Sequence, residues 1–161
     1  MFDGTHQTDG LEFNCSVPDV SIPDVAVPCE HCTQSPLTLL ADDDEDNLLL
    51  ISYAMELLGV NFIAARTGQE VMELVRRHSF SLIVLDIRLP DIDGVELCSW
   101  LRQNPVTKDS PIIAVTAMAR LSDRDSIMAA GFTDYLLKPY MIEDLNTLIL
   151  KHLHDELQAS P

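Results

Sequence analysis

The sequence predicts an α/β fold in which helices cover both faces of a five-stranded parallel sheet. From Pro36 onward, short apolar segments alternate with longer segments that carry apolar residues at helical spacing. One apolar segment, Leu82–Leu85, is uninterrupted, which is typical of a strand with helices on both sides. Gly59 and Gly131 each end a predicted helix shortly before the next apolar segment. This alternation indicates parallel strands joined by helical crossovers.

The five predicted strands are short and mostly apolar. In chain order they are Leu37–Ala41, Asn61–Ala65, Leu82–Leu85, Ile112–Val115 and Tyr135–Leu137. The second is the weakest of the five, so we expect it near an edge of the sheet. Pro111 stands just before the fourth strand, where its missing N–H costs no hydrogen bond within the sheet.

The five predicted helices alternate with these strands. They run from Asp46 or Asn47 to about Leu58, over Gln69–His78, after the loop Leu89–Gly94, over about Leu121–Ala130 and over about Ile142–Leu157. Asp46 or Asn47 would cap the first helix. Apolar spacing predicts which residues face the core. In the first helix these are Leu50, Ala54, Leu57 and Leu58, and in the second they are Val71, Leu74 and Val75. In the third helix they are Leu97 and Leu101, and in the fifth they are Ile142, Leu145, Leu148, Ile149 and Leu153.

The composition restricts the classes of partner. The chain has 161 residues, with 26 acidic and 10 basic side chains and a formal net charge of −16. Net repulsion argues against a nucleic-acid partner or an anionic membrane surface. No apolar run approaches the roughly 18–20 residues of a membrane helix, and the start is unlike a signal peptide. We therefore expect a cytoplasmic protein with reduced cysteines and no membrane insertion.

Residues 1–35 differ from the rest of the chain. They contain six acidic residues and no Lys or Arg, and a repeat of period five places Pro18, Pro23 and Pro28. Because these prolines exclude a central strand or a helix, we predict a disordered acidic arm before a folded domain of residues 36–158. The segment Cys29-Glu30-His31-Cys32 leaves a zinc or redox site open as an alternative, since a single pair of cysteines is a weak signal.

Polar side chains stand where four of the predicted strands end. They are Asp42 and Asp43 after the first strand, Asp86 after the third, Thr116 after the fourth and Lys138 after the fifth. The carboxyl ends of parallel strands form one edge of a sheet, and ligands bind there. Taken singly, these residues could be a helix cap, a strand former or a solvated lysine. Together, three carboxylates that repel by about 1–4 kcal/mol per pair require a cation. Oxygen ligands favour Mg²⁺ over zinc, and an aspartate beside Mg²⁺ can attack a phosphoryl group.

Five motifs in this order resemble the receiver domains of two-component response regulators. They are the acidic run in Leu39–Asn47, Leu85–Pro90, Gly94, Val115-Thr116-Ala117 and Asp134–Pro139. The resemblance covers about Leu37–Leu157. It implies a flavodoxin-like, doubly wound (βα)5 fold with the strand order 2-1-3-4-5.

The resemblance implies roles for the acidic residues of this edge. Asp86 would accept a phosphoryl group from a histidine kinase or a histidine phosphotransfer protein. Asp42, Asp43 and Asp86 would hold Mg²⁺, with Asp43 as a direct ligand and Asp42 acting through water. The backbone carbonyl of Arg88 would complete the protein ligands.

The resemblance also implies a conformational switch. The Thr116 hydroxyl and the Lys138 ammonium group would contact the bound phosphoryl group, and the Lys138–Pro139 peptide bond would be cis. Thr116 would move toward the phosphoryl group and Tyr135 would turn inward, although Tyr135 could instead be an ordinary packed aromatic. The face built from the fourth helix, the fifth strand and the fifth helix would then change its preference for a downstream protein partner.

The sequence predicts a single-domain regulator and leaves two rival functions open. Only four residues follow the last predicted helix, so we expect a single-domain regulator that signals by docking to another protein. One rival is a receiver-like interaction module that works without phosphorylation. The other is an Asp-nucleophile phosphohydrolase of the haloacid dehalogenase type, which needs an aspartate at position 88, where this chain has Arg88. The sequence identifies no cognate kinase and no partner for His152.

Overall fold

The computed structural model describes residues 36–117 and 121–158, and these form five strands that alternate with five helices. The elements are β1 (Leu37–Ala41), α1 (Glu45–Leu58), β2 (Asn61–Ala65), α2 (Gly68–Arg77), β3 (Leu82–Asp86), α3 (Gly94–Gln103), β4 (Ile112–Thr116), α4 (Leu121–Ala129), β5 (Asp134–Leu137) and α5 (Ile142–Gln158). The strands pair in parallel in the order β2-β1-β3-β4-β5. The predicted flavodoxin-like fold and its strand order are confirmed. The predicted arm and its Cys29–Cys32 segment lie outside the described residues.

The sheet separates two apolar cores. On one face, Val71 of α2 and Leu97 of α3 pack against buried strand residues. On the other face, Ile51 of α1 and Leu145 of α5 do the same. All residues of β3 and β4 are buried, whereas most of β2 is half-buried, which confirms its predicted edge position. None of the described helices combines the length and apolar composition that a bilayer-spanning segment needs.

The first helix begins earlier than predicted and buries a different face. Asp44, rather than Asp46 or Asn47, is its N-cap, because Oδ1 of Asp44 accepts the backbone N–H groups of Asp46 at 2.9 Å and of Asn47 at 3.1 Å. Leu50 and Leu57, both predicted to be inward, are 39% and 61% exposed. The buried residues are Leu48, Ile51, Ala54 and Met55. Four consecutive apolar residues supply every side of this helix, so apolar spacing alone does not select the side that faces the sheet.

The other predicted core positions agree more closely with the structure. Those that are buried are Val71, Val75, Leu97, Leu101, Leu145, Ile149 and Leu153, and those that are half-buried are Leu74, Ile142 and Leu148. Cys98 is a free thiol without solvent exposure, and burial raises its pKa to about 11. A thiol in this environment stays protonated and packs as a small apolar group.

His152 has a partner that the sequence does not reveal. Its Nε2 atom lies 3.2 Å from Oδ2 of Asp134, the first residue of β5, and Nζ of Lys151 donates to the same oxygen at 3.1 Å. Burial acts to raise the pKa of Asp134. Hydrogen bonds from the Tyr135 backbone N–H, Lys151 and His152 outweigh this effect and lower the pKa below its ordinary value of 3.8. The ionised Asp134 therefore ties β5 to α5.

We expect Asp134→Asn to reduce stability at neutral pH and to reduce it less as the pH falls. A carboxyl group with a lowered pKa stabilises the fold fully above its unfolded pKa, about 4, and the contribution is lost as the pH falls through the folded value. Urea denaturation of both proteins at several pH values between about 3 and 7 measures the difference. Asp109→Asn is the control, because the Asp109 side chain is 90% exposed. A difference between wild type and Asp134→Asn that does not change with pH contradicts the assignment.

Candidate functional site

The carboxyl ends of the strands bring the predicted acidic residues together. Asp42 and Asp43 follow β1, and Asp86 is the last residue of β3, the strand beside β1. One carboxylate oxygen from each of the three lies within 4.8 Å of the others. Asp42 and Asp86 are buried, whereas Asp43 is exposed. The cluster is therefore open to solvent on the side of Asp43.

Lys138 supplies a positive charge inside this cluster. Its Nζ atom donates to Oδ2 of Asp42 at 2.9 Å and to Oδ2 of Asp86 at 2.7 Å. The three carboxylates repel one another, and this ammonium group offsets part of that repulsion. Lys138 follows β5, so it reaches across β4 to the two strands that carry its partners.

Backbone N–H groups hold the other oxygens of the two buried carboxylates. The N–H of Asp44 donates to Oδ1 of Asp42 at 2.9 Å, and the N–H of Arg88 donates to Oδ1 of Asp86 at 2.8 Å. The Asn47 amide lies 3.5 Å from Oδ1 of Asp42. Each buried carboxylate is thus oriented from both sides.

Burial and hydrogen bonds act in opposite directions on the pKa values of Asp86 and Lys138. Burial raises the pKa of Asp86 above its ordinary value of 3.8, although hydrogen bonds from Lys138 and from the Arg88 N–H oppose the rise. Burial also acts to lower the pKa of Lys138, but hydrogen bonds to Asp86 and Asp42 outweigh it and raise this pKa above 10.5. Lys138 is therefore charged at neutral pH, and the site keeps its internal cation.

The donor set fits Mg²⁺. The cluster offers carboxylate oxygens, which are the ligands that hard divalent cations prefer. Three carboxylates and one ammonium group leave a formal charge of −2, which one Mg²⁺ would balance. Among the described residues, no hydrogen bond or ion pair occupies the Asp43 carboxylate, so its oxygens are available as ligands.

The remaining predicted residues surround this cluster. Thr116 ends β4 and is 2% exposed. The Lys138–Pro139 peptide bond is cis. Tyr135 lies within β5 and is half-buried, and the guanidinium carbon of Arg124 is 5.2 Å from the centre of its ring. The predicted site residues thus lie around the carboxyl edge, with Tyr135 one strand away from Thr116.

The segment between β3 and α3 passes close to the site. The N–H of Gly94 donates to the carbonyl of Ile87 at 2.8 Å. A Cβ atom at position 94 would lie 2.5 Å from Cα of Ile87 and 2.8 Å from the Asp86 carbonyl oxygen. Only glycine permits this approach. Gly94, which the motif analysis selected by position, therefore has a steric reason to be glycine.

Sequence reasoning missed three contributors to the site and its surroundings. Asp44 belongs to the acidic run, and its N-cap role was within reach of capping rules, because a helix can begin one residue earlier. The contact between Arg124 and Tyr135 joins α4 to β5, so no local sequence pattern predicts it. Asp91 accepts hydrogen bonds from the backbone N–H groups of Gly68 and Gln69, which lie 23 and 22 positions earlier in the chain. The sequence carries no signal for this contact either.

The fold and the acidic edge define a class of signalling modules, and comparison with known proteins shows the family. The sequence profile of the response regulator receiver domain matches residues 38–150. The polar-differentiation response regulator DivK of Brucella ovis is 33% identical over 117 residues, which are 73% of this chain and 95% of DivK. The chain belongs to the receiver domain family of two-component response regulators.

Two further relatives place this family match in context. The signal transduction histidine-protein kinase BarA of Escherichia coli K12 is 35% identical over 127 residues, which are 78% of this chain but 14% of BarA. The receiver domain of a sensor histidine kinase from Pseudomonas aeruginosa PAO1 is 28% identical, with a TM-score of 0.69 over 74% of this chain and 98% of that domain. Its crystal structure holds a magnesium ion in the active-site cleft. Receiver domains are signalling modules that bind Mg²⁺ at an acidic pocket and interact with histidine kinases and downstream partners.

We expect Lys138→Met to destabilise the protein and to make its stability more dependent on Mg²⁺. Without the ammonium group, two buried carboxylates lose their shared partner, and we expect the free energy of unfolding to fall by about 2–4 kcal/mol. Added Mg²⁺ should restore more stability to Lys138→Met than to the wild type, because the variant cluster carries one more net negative charge. Urea denaturation with and without MgCl₂ measures both effects.

Lys108→Met is the matched control for this substitution. The Lys108 side chain is 58% exposed and lies 3.9 Å from Asp109, so its loss should change stability by no more than about 0.5 kcal/mol. If both variants match the wild type with and without MgCl₂, Lys138 does not hold the cluster together.

Proposed function

We propose that Asp86 is the phosphoacceptor of this receiver domain and that its donor is a phosphohistidine on a kinase or a phosphotransfer protein. The observation that supports this most is the convergence of Asp42, Asp43 and Asp86 on one charged lysine, in a chain that belongs to the receiver family. Asp86 ends the central strand β3 and, like Asp42, is held from both sides; its place in the Leu85–Pro90 motif makes it the proposed nucleophile.

The transfer step exchanges one bond to phosphorus for another. A carboxylate oxygen of Asp86 forms a bond to phosphorus as the bond between phosphorus and the histidine nitrogen breaks. The electron pair of the broken bond stays on the imidazole, which takes up a proton from solvent, and the aspartyl group becomes an acyl phosphate. Lys138 lies within hydrogen-bond reach of Asp86 already, so it can follow the charge onto the phosphoryl oxygens.

Mg²⁺ would be held by Asp42, Asp43, Asp86 and the backbone carbonyl of Arg88. When bound, the ion supplies positive charge that offsets the charge on the phosphoryl oxygens. The backbone N–H of Arg88 donates a hydrogen bond to Asp86, so the residue that would offer the carbonyl ligand already contacts the proposed nucleophile. Thr116, buried at the end of β4, would donate its hydroxyl to the bound phosphoryl group.

We expect the wild-type chain to gain one phosphoryl mass when it is incubated with phosphoramidate or acetyl phosphate and Mg²⁺, and Asp86→Asn to gain none. An acyl phosphate is acid-stable and base-labile, so alkaline treatment should remove the added mass. Intact-protein mass spectrometry measures both. Asp109→Asn is the control, since the exposed Asp109 lies far from this edge in a different loop and should leave the adduct unchanged.

Other outcomes favour the rival functions. Steady turnover of phosphomonoesters would favour the phosphohydrolase. No adduct from any donor would favour the module that works without phosphorylation. An adduct that persists in Asp86→Asn would assign the phosphoacceptor to another residue.

For signal output, the face formed by α4, β5 and α5 is the proposed docking surface for a downstream protein. Met128 of α4 is 47% exposed, Leu150 of α5 is 39% exposed, and Met141, which precedes α5, is 66% exposed. These side chains offer apolar contact area, and methionines adapt to different partners. Tyr135 lies within this face, on β5, and Thr116 ends the neighbouring strand, so a movement of Thr116 toward the phosphoryl group would alter it.

We propose a separate docking surface for the phosphodonor on α1. Leu49, Tyr53 and Leu57 are 71%, 53% and 61% exposed and lie four residues apart, so they form one line along the helix, here named the α1 apolar stripe. The helix begins immediately after Asp43 and Asp44, so the stripe leads away from the acidic cluster. Because α1 contains acidic residues and no Lys or Arg, a partner surface that is apolar with basic borders fits it best.

We expect the double variant Tyr53→Ser, Leu57→Ser to receive phosphoryl groups about tenfold more slowly from a phosphorylated histidine phosphotransfer protein, because central apolar contacts carry most of the binding energy. Its rate with phosphoramidate should be unchanged, because a small donor needs no docking surface. Radiolabel transfer measures the first rate and mass spectrometry the second. Val106→Ser is the control, since Val106 is 49% exposed on the loop after α3. Equal protein-donor rates for the double variant and the wild type would remove α1 from the interface.

A further inference from the structure

Asp91 connects two parts of the protein that are far apart in the chain. It lies in the segment between β3 and α3, five residues after Asp86. Its Oδ1 accepts the backbone N–H of Gly68 at 2.8 Å, and its Oδ2 accepts that of Gln69 at 2.9 Å. Gly68 and Gln69 are the first two residues of α2. The N–H of Gly68, with smaller help from that of Gln69, lowers the pKa of Asp91, so its carboxyl group is ionised at neutral pH.

Asp91 and Thr67 cap the start of α2 together. Thr67 is the N-cap, and its hydroxyl accepts the N–H of Glu70 at 3.1 Å. The Glu70 carboxylate in turn accepts the N–H of Arg66, the residue before the N-cap, at 2.6 Å. Gln69 is exposed, so water could satisfy its N–H. Gly68 is buried and its N–H is satisfied by Asp91, so Asp91 completes the cap and also connects α2 to the segment that contains Asp91.

Side-chain packing reinforces the same connection. A Cβ atom at Gly68 would overlap Cγ2 of Ile92, so the absence of a side chain at position 68 lets Ile92 lie against the start of α2. Asp91 and Ile92 thus fasten the tip of the segment by two bonds and one close packing contact.

The two ends of this segment are fixed next to the acidic cluster. Arg88 forms an isolated β-bridge with Asp93, and the N–H of Gly94 bonds the carbonyl of Ile87. The N–H of Arg88 bonds Oδ1 of Asp86. The tip is fastened to α2, and Val71 of α2 belongs to the same core as Ala41, the last residue of β1. The segment is therefore connected through α2 to β1, the strand that precedes Asp42.

We propose that Asp91 is a positioning residue for the metal site: by fastening the segment to α2, it holds the backbone carbonyl of Arg88 in place relative to Asp42 and Asp43. The inference rests on the proposed function, because it takes the Arg88 carbonyl as a Mg²⁺ ligand. Partners that orient a metal ligand change metal affinity by about 10–100-fold when they are removed. Asp91 acts at the far side of a short loop, so we expect a smaller effect of about three- to tenfold.

The test compares Mg²⁺ affinity in three full-length proteins by isothermal titration calorimetry with MgCl₂. Asp91→Ala should raise the Mg²⁺ dissociation constant by about three- to tenfold relative to the wild type. Thr67→Ala is the matched control, because it removes a cap from the same helix terminus without touching the segment. It should lose thermal stability to a similar extent and keep the wild-type affinity.

Two further variants separate positioning from general weakening of the fold. Asp91→Asn can still accept one of the two N–H groups, so it should bind Mg²⁺ with an affinity between those of the wild type and Asp91→Ala. Gly68→Ala keeps the Asp91 carboxylate but pushes Ile92 away, and it should also weaken Mg²⁺ binding. Amide hydrogen exchange should quicken at Gly68 and Gln69 in Asp91→Ala, and at Glu70 in Thr67→Ala.

The outcomes distinguish this inference from the proposed function. Wild-type Mg²⁺ affinity in Asp91→Ala, or an equal loss of affinity in Asp91→Ala and Thr67→Ala, overturns the positioning role and leaves the proposed function intact. A wild-type chain that binds no Mg²⁺ overturns both.

Discussion

The ion pairs of Lys138 with two buried aspartates are the interaction on which the arrangement of the site depends. Without this ammonium group, Asp42 and Asp86 would face each other at a distance where like charges repel by about 4 kcal/mol at an effective dielectric constant of 20. The lysine follows the edge strand β5 and its partners lie on β1 and β3, so it bridges the carboxyl edge across β4. The site is thus assembled from three separate strand ends before any divalent ion binds.

The sequence predicted this edge well, because parallel topology leaves little freedom. Once the alternation of strands and helices is recognised, the residues that end the strands must lie at one edge, whatever the details of packing. The prediction failed for α1, whose four consecutive apolar residues fit several faces, and Leu57 proved to be exposed. It also missed contacts between distant elements, such as His152 with Asp134 and Asp91 with Gly68. Such contacts depend on how finished elements pack, and no local period encodes that packing.

The two proposed docking surfaces, the α1 apolar stripe and the face formed by α4, β5 and α5, lie next to each other. The α1 apolar stripe and Leu150 of α5 lie on helices that pack against the same core, on the same side of the sheet. A large phosphodonor bound along α1 would therefore extend toward α5, which belongs to the proposed output face. Under the two proposed docking surfaces, the donor and the downstream partner would occupy neighbouring surfaces, and a large donor would hinder the second partner. The acidic character of α1 favours fast encounter with a basic donor and rapid release at higher ionic strength.

Different kinds of contact hold the two sides of Asp86. On the side of α2, Asp91 makes two charge-assisted hydrogen bonds that fasten the segment containing Arg88. On the side of α4, the ring of Tyr135 lies under Arg124, a cation–π contact worth about 0.5–1 kcal/mol at a surface site. In the proposed function, a phosphoryl group on Asp86 would contact Thr116 on this second side, and Tyr135 lies on the strand next to Thr116. The proposed Mg²⁺ ligands Asp42 and Asp43 and the proposed switch residue Tyr135 therefore lie on opposite sides of β3.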